Sequence, residues 1–204
     1  LDAKEDGMRT MILLAWLMVP VLIGAYHYGP GQEKLRLDDV SRLLAEADRL
    51  AAEEQWSRAS ATYEKALALL PAGRVDEARR IRIQRAKVQM FDRQLPEACA
   101  ALKELVDQIE GDPKSAPRLR DEAREALANS QYYLTWLMRL EGLGAADWEP
   151  EIESSRQTYR MLAEQAEACG DAVAAKAHRE NLESAIRLSR MELAQLQGLD
   201  LPKQ

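Results

Sequence analysis

Phenylalanine occurs once, cysteine twice and histidine twice in 204 residues, with 10 glycines and 8 prolines. Each scarcity excludes something. Cys99 and Cys169 show no metal-ligand spacing. Both sit beside alanine on predicted helices, so they are expected as buried structural thiols. A disulfide between them would be permitted in an oxidising compartment, but their spacing does not decide it. His178 is the only histidine outside the apolar N-terminal stretch. It falls mid-helix beside Lys176, Arg179 and Glu180, with no thiol, serine or carboxylate arrangement to make it a base, and is expected on a solvated face. There is no glycine-rich phosphate loop and no nucleophile elbow. Catalytic residues, metal ligands and cofactors are therefore not predicted, and the chain is not expected to be an enzyme. Lysine and arginine total 28 against 34 acidic residues, for a net charge of −6. Without a basic cluster, a nucleic-acid surface is excluded as well. Scarce glycine and proline, with abundant alanine, leucine, glutamate and arginine, favour helix.

What the chain does have is one long apolar run, MILLAWLMVPVLIGAYHYGPG, from Met11 to Gly31. Residues 10–28 would span about 28 Å as a helix at about 1.5 Å per residue, close to a hydrocarbon core of about 30 Å. The run is apolar all round, whereas a soluble core helix would carry a polar stripe. Trp16, Tyr26 and Tyr28 suit the membrane interface, His27 the headgroup level, and Pro20 a kink that membrane helices tolerate. A cleaved signal peptide would need a small-x-small site, for which Ile23-Gly24-Ala25 is a poor candidate. An uncleaved single-pass anchor is expected. Lys4 and Arg9 before the run nearly balance Lys34 and Arg36 after it, so the charge rule barely sets orientation. A short tail carrying Arg9 is easily retained in the cytoplasm, which would place the bulk of the chain in the periplasm of a bacterial inner membrane. Met8-Arg9-Thr10 reads as a natural start, with residues 1–7 as an upstream extension.

Beyond a linker at 29–36, helical periodicity takes over. Val40, Leu43, Leu44, Ala47 and Leu50 share one face of a first helix. Glu53-Glu54-Gln55 makes a turn, and Trp56, Ala59, Tyr63, Ala66, Leu67 and Leu70 line a second helix before Pro71 stops it. Ala47 and Ala59, 12 residues apart, let the two backbones approach closely. A second pair follows, with Ile81, Ala86, Val88 and Met90 on one helix and Leu95, Ala98, Leu102, Leu105 and Ile109 on the next, ending at Gly111-Asp112-Pro113. Ala86 and Ala98 repeat the interval of 12, and Ala86 follows Ala47 by 39.

This pattern of small and bulky positions resembles the tetratricopeptide repeat, a helix–turn–helix unit of about 34 residues. The match rests on Leu43, Ala47, Leu50, Trp56, Ala59, Tyr63, Ala66 and Pro71, without the family's leading Trp and first-helix Gly. A third, degenerate copy is expected over about 120–141 and 150–169. Ser130, Tyr133, Ser155 and Tyr159 would be its key positions, and the loop from Gly142 to Trp148 an insertion. A long helix from Asp171 to Gln197 would cap the array through Val173, Ala177, Leu182, Ala185, Ile186, Leu193 and Leu196.

The expected organisation is an all-α chain: a tail (1–9), a transmembrane helix (10–28), a linker (29–36), a repeat domain of about three hairpins forming an α-solenoid (37–197) and a tail (198–204). The resemblance implies a concave surface that receives a peptide or partner helix. Its lining would be Ser41, Leu44, Asp48 and Ala51, then Arg80, Ile83, Lys87 and Met90, then Leu127, Gln131 and Leu134. Leu44 and Ile83 could equally pack in the core. The family's carboxylate-clamping members use Lys and Asn on these helices, and only Lys87 is a candidate here. Trp148 would be either a loop anchor for a partner or a staple for the helix behind it. The function that follows is a membrane-anchored protein–protein interaction scaffold, an accessory or adaptor subunit bound to another membrane-complex protein. The alternative is a chaperone-like module holding exported clients near a translocon.

Overall fold

The computed structural model describes residues 16–20 and 30–198. Among them the fold is all-helical: α1 (Pro30–Ala52), α2 (Trp56–Leu69), α3 (Val75–Phe91), α4 (Leu95–Glu110), α5 (Pro117–Leu140), α6 (Ala145–Ala168), α7 (Ala172–Arg190) and the short α8 (Leu193–Gln197). Prolines near the first turns of α4 and α5 suit helix starts, where the missing N–H is no loss. Each helix from α1 to α6 packs against its successor. Beyond that order, α3 packs on α5, and α8 folds back on α5.

The turn chemistry shows why successive helices reverse. Glu54 (φ 57°) and Arg93 (φ 59°) adopt the left-handed conformation. Each is followed by a residue whose N–H bonds a carbonyl five positions back: Gln55 to Leu50 at 2.8 Å and Gln94 to Gln89 at 3.2 Å. This is the Schellman cap, which satisfies orphan carbonyls while turning the chain. The two turns, Glu53-Glu54-Gln55 and Asp92-Arg93-Gln94, lie 39 residues apart, as Ala47 and Ala86 do. Gly142 (φ 78°) and Gly170 (φ 75°) form the same cap after α5 and α6, with Leu143 N–H bonding Met138 at 3.0 Å and Asp171 N–H bonding Ala166 at 2.9 Å.

Ala47 and Ala59 are fully buried in one apolar cluster, and Ala86 and Ala98 are buried in the next. Helix α3 joins the two. Ile81 and Val88 enter the cluster with α1 and α2, while Ile83, Ala86 and Met90 enter the cluster with α4 and α5. Side chains of this size contribute about 1.5–3 kcal/mol each when fully buried, so α3 is held from both sides. A third cluster joins Trp136, Ile152, Ala185, Leu188 and Leu196 at the C-terminal end.

Several expectations need correction. Residues 30–36, expected as linker, belong to α1. The apolar run lies mostly outside the described residues, Tyr26 and Tyr28 included. Its described part, 16–20, is helical, and Trp16 is 79% exposed. Among the described residues no helix is long and apolar enough to cross a membrane. The expected insertion is only 141–144, because α6 begins at Ala145 and carries Pro150 inside it. The proline near the helix start resembled an N-terminal signal but lies beyond the first turn. The expected small pair of the third hairpin stands: Ser130 and Ser155 are both fully buried, and Ser155 donates to the Ala128 carbonyl at 2.8 Å, so α5 and α6 approach closely there. The expected final helix breaks at Met191 and Glu192, and Val173 and Leu193, expected on its packed face, are exposed. Arg139 explains the break. Its guanidinium donates to the carbonyls of Leu188 and Met191, closing the end of α7, while Glu192 and Gln195 form a capping box that opens α8. Cys99 is buried as expected, but Cys169 is exposed, and the two are unpaired.

Candidate functional site

One edge of α3 is left uncovered by the clusters on either side, and it carries Arg80, Gln84, Lys87 and Phe91 at spacings of three and four residues. Gln84 donates to Glu122 of α5 at 2.9 Å, which fixes that edge beside α5. Phe91 stands between Trp56 of α2, with ring centroids 4.9 Å apart, and Tyr133 of α5 at 6.4 Å. The row continues through Tyr132, 5.5 Å from Tyr133, to Trp136, 6.3 Å from Tyr132. Five aromatic rings on three helices thus form one continuous path, in tilted and edge-to-face pairs. Phe91 remains 38% exposed, and Leu137 and Leu140, which follow Tyr133 along α5, are 36% and 37% exposed.

The polar groups around this edge are unevenly matched. Asp76 is paired with Arg79 and Glu122 accepts from Gln84; on α1, Asp48 accepts from the Tyr63 hydroxyl of α2. Burial together with the Asp48 carboxylate raises the Tyr63 pKa well above the ordinary phenol value. Arg80 and Lys87 make no hydrogen bond or ion pair among the described residues. Asp76 is thus paired with a cation, whereas Arg80 and Lys87 are paired with no acid among the described residues.

The expected lining divides accordingly. Ile83, Met90 and Gln131 are buried and line no open surface, and Leu44 packs half-buried against the first cluster. Asp48 is exposed but tied to Tyr63, whereas Arg80 and Lys87 do lie on the open edge. Two of the four positions expected on α3 therefore lie on the open edge and two do not. Met90 turns inward, and Phe91, four residues past Lys87, turns outward. Trp148 is no loop anchor. It sits in the first turn of α6, packs against the third cluster, and takes the Arg139 guanidinium on its ring at 4.6 Å. The staple alternative describes it better.

His178 is more enclosed than a solvated helix face allows. Its side chain is 12% exposed, its Nδ1 has no hydrogen-bond partner, and it lies 3.9 Å from Glu125 Oε1. Nearby, Tyr159 donates to Asn129 Oδ1 at 2.7 Å, and burial raises its pKa far above the ordinary range. These groups tie α5 to α6 and α7, and they form no nucleophile–base pair. Among the described residues no cluster of His, Cys, Asp and Glu could hold a metal ion. What the open edge offers is apolar ring surface beside positive charge, which suits binding. The chain matches no protein-family model, no curated protein and no solved structure.

Proposed function

We propose that this chain is a membrane-anchored scaffold: a tetratricopeptide-like α-solenoid, held beside a bilayer by its apolar N-terminal segment, that docks another protein as an accessory or adaptor subunit. The observation that carries the reading is the repeat itself. The same left-handed three-residue turn and the same buried alanine recur after 39 residues, and α3 is packed on both sides. Hairpins of this kind cannot bury their apolar faces alone, and stacking leaves one edge of each inner helix available to a partner. The exposed apolar turn at residues 16–19 supports the anchor. Confinement to a surface raises effective concentration, so even a modest contact area would suffice for docking.

Extraction of native membranes in mild detergent, followed by identification of co-purifying proteins, tests the subunit role. One stoichiometric partner is the expected result. Many unrelated substoichiometric clients would favour the chaperone alternative, and recovery of the chain alone would reject both. Leu14→Arg combined with Leu17→Arg tests the anchor, since each central charge costs about 2.5–3.5 kcal/mol of insertion free energy. The variant should be released by carbonate washing, and its retention would contradict the anchor.

A further inference from the structure

The open edge of α3 and its neighbours on α5 define what kind of partner fits. We infer that the face formed by Arg80, Lys87, Phe91, Leu137 and Leu140 receives an acidic amphipathic peptide segment, with an aromatic or large aliphatic side chain on the exposed Phe91 and leucines and carboxylates on the two cations. The inference rests on the docking reading above and narrows it.

Three observations converge. First, Phe91 remains 38% exposed although both Trp56 and Tyr133 pack on it, so it is only partly covered. Leu137 and Leu140 extend the apolar surface along α5 at spacings of four and seven from Tyr133, the helical repeat that keeps residues on one side. Second, Lys87 lies one turn before Phe91 and Arg80 two turns before Lys87, so cationic and apolar elements form one line along α3. Third, Arg80 and Lys87 make no ion pair among the described residues, and the acids about one turn before Arg80 on the same helix are paired with other cations: Asp76 with Arg79 and Glu77 with Arg74. Positive charge without an internal partner beside apolar ring surface is the complement of an acidic amphipathic chain, and charge complementarity of this kind selects partners and speeds their encounter.

The geometry also sets a spacing. Seven residues of helix separate the Arg80 and Lys87 backbones by about 10 Å. A partner would match this with carboxylates seven residues apart on a helix, or three apart in an extended chain at about 3.3 Å per residue. Both cations bind through side chains, so the segment need not end in a free carboxylate.

The test uses the full chain in detergent micelles and a pool of fluorescein-labelled, C-terminally amidated 15-residue peptides. Each carries acids at one of these two spacings and one Phe, Trp or Leu, and each has a counterpart with lysine at the acidic positions. Fluorescence anisotropy should enrich acidic members over their lysine counterparts, with affinity falling as salt rises. Arg80→Glu with Lys87→Glu should weaken acidic peptides by about tenfold or more and transfer preference to the lysine set. Phe91→Ala should weaken both sets, with far-UV circular dichroism confirming that each variant folds. Equal binding of the two sets, no acidic peptide enriched, or affinities untouched by these substitutions would overturn the inference. If the partner recovered from membranes still binds the Arg80→Glu/Lys87→Glu and Phe91→Ala variants unchanged, this face is rejected while the scaffold reading stands. If no partner is recovered yet acidic peptides bind here, the reverse holds.

Discussion

Replacing Arg139 with alanine should destabilise the C-terminal third of the fold by about 2–4 kcal/mol. The side chain is 9% exposed, donates to the carbonyls of Leu188 and Met191, and stacks on Trp148 at 4.6 Å. Hydrogen bonds involving a charged group contribute about 1.5–3 kcal/mol each, and a partly desolvated cation–π contact contributes about 0.5–2 kcal/mol. Against these stands the cost of burying the guanidinium, which lowers its pKa from the ordinary value. In the variant, water can reach part of the vacated space and recover some of the loss, so the net falls below the simple sum. Arg139→Lys should lie between wild type and alanine, because one ammonium cannot span both carbonyls as the planar fork does. Urea unfolding followed by tryptophan fluorescence suits the question, since Trp136 and Trp148 both pack in the affected cluster. Hydrogen exchange should show lost protection confined to the end of α7 and to α8. An alanine variant within about 0.5 kcal/mol of wild type, the range typical of surface substitutions, would refute the assignment of Arg139 as the clamp on this helix break.

Ala47→Phe and Ala86→Phe should each cost about 1–3 kcal/mol or more by overpacking the close helix approach, and unchanged thermal unfolding would remove that approach from the account. Glu54→Gly and Arg93→Gly should each stabilise by about 0.5–1 kcal/mol. The left-handed conformation costs an ordinary residue about 1–2 kcal/mol, and glycine gives back about half in chain entropy. Loss of stability in thermal melts would contradict the cap assignment. Arg79 bonds Asp76, Asp112 and Ser115, pinning the α4–α5 loop to α3, and its hydrogen bond holds the Asp112 carboxyl below its usual pKa. A depressed carboxylate stabilises above the unfolded pKa, about 3.9, and that contribution is lost as pH falls through the lower folded value. Urea titrations below about pH 4 should therefore show a shallower acid limb for Asp112→Asn than for wild type, and identical limbs would reject the linkage.

The first two hairpins were legible because their information is local. Alanines 12 apart, a polar turn and a stopping proline or glycine each have a fixed place in a helical pair. In the third hairpin the small pair Ser130 and Ser155 was legible, but the loop was drawn too long because Pro150 imitates a helix start while α6 begins at Ala145. The break between α7 and α8 was hidden for a different reason. The residue that closes α7 lies on α5, about 50 positions earlier, and periodicity carries no trace of so distant a bond. On α3, Arg80 and Lys87 were read on the open edge correctly, but Ile83 and Met90 were each taken in place of the next residue. A helix packed from two opposite sides buries Ile83 and Met90 as well as Ile81 and Val88, so a single amphipathic stripe assigns its solvent edge wrongly. His178 and Cys169 were exchanged in character because exposure depends on which helices arrive beside them, not on their own neighbours in sequence.

A photo-crosslinking residue placed at position 87 of the full chain in native membranes, with one at the exposed Lys65 of α2 as control, tests docking at the open edge most directly. The account predicts one dominant protein adduct in the membrane fraction from position 87 and none from position 65. Equal adducts from both positions, no adduct from either, or a chain recovered only in the soluble fraction would contradict it.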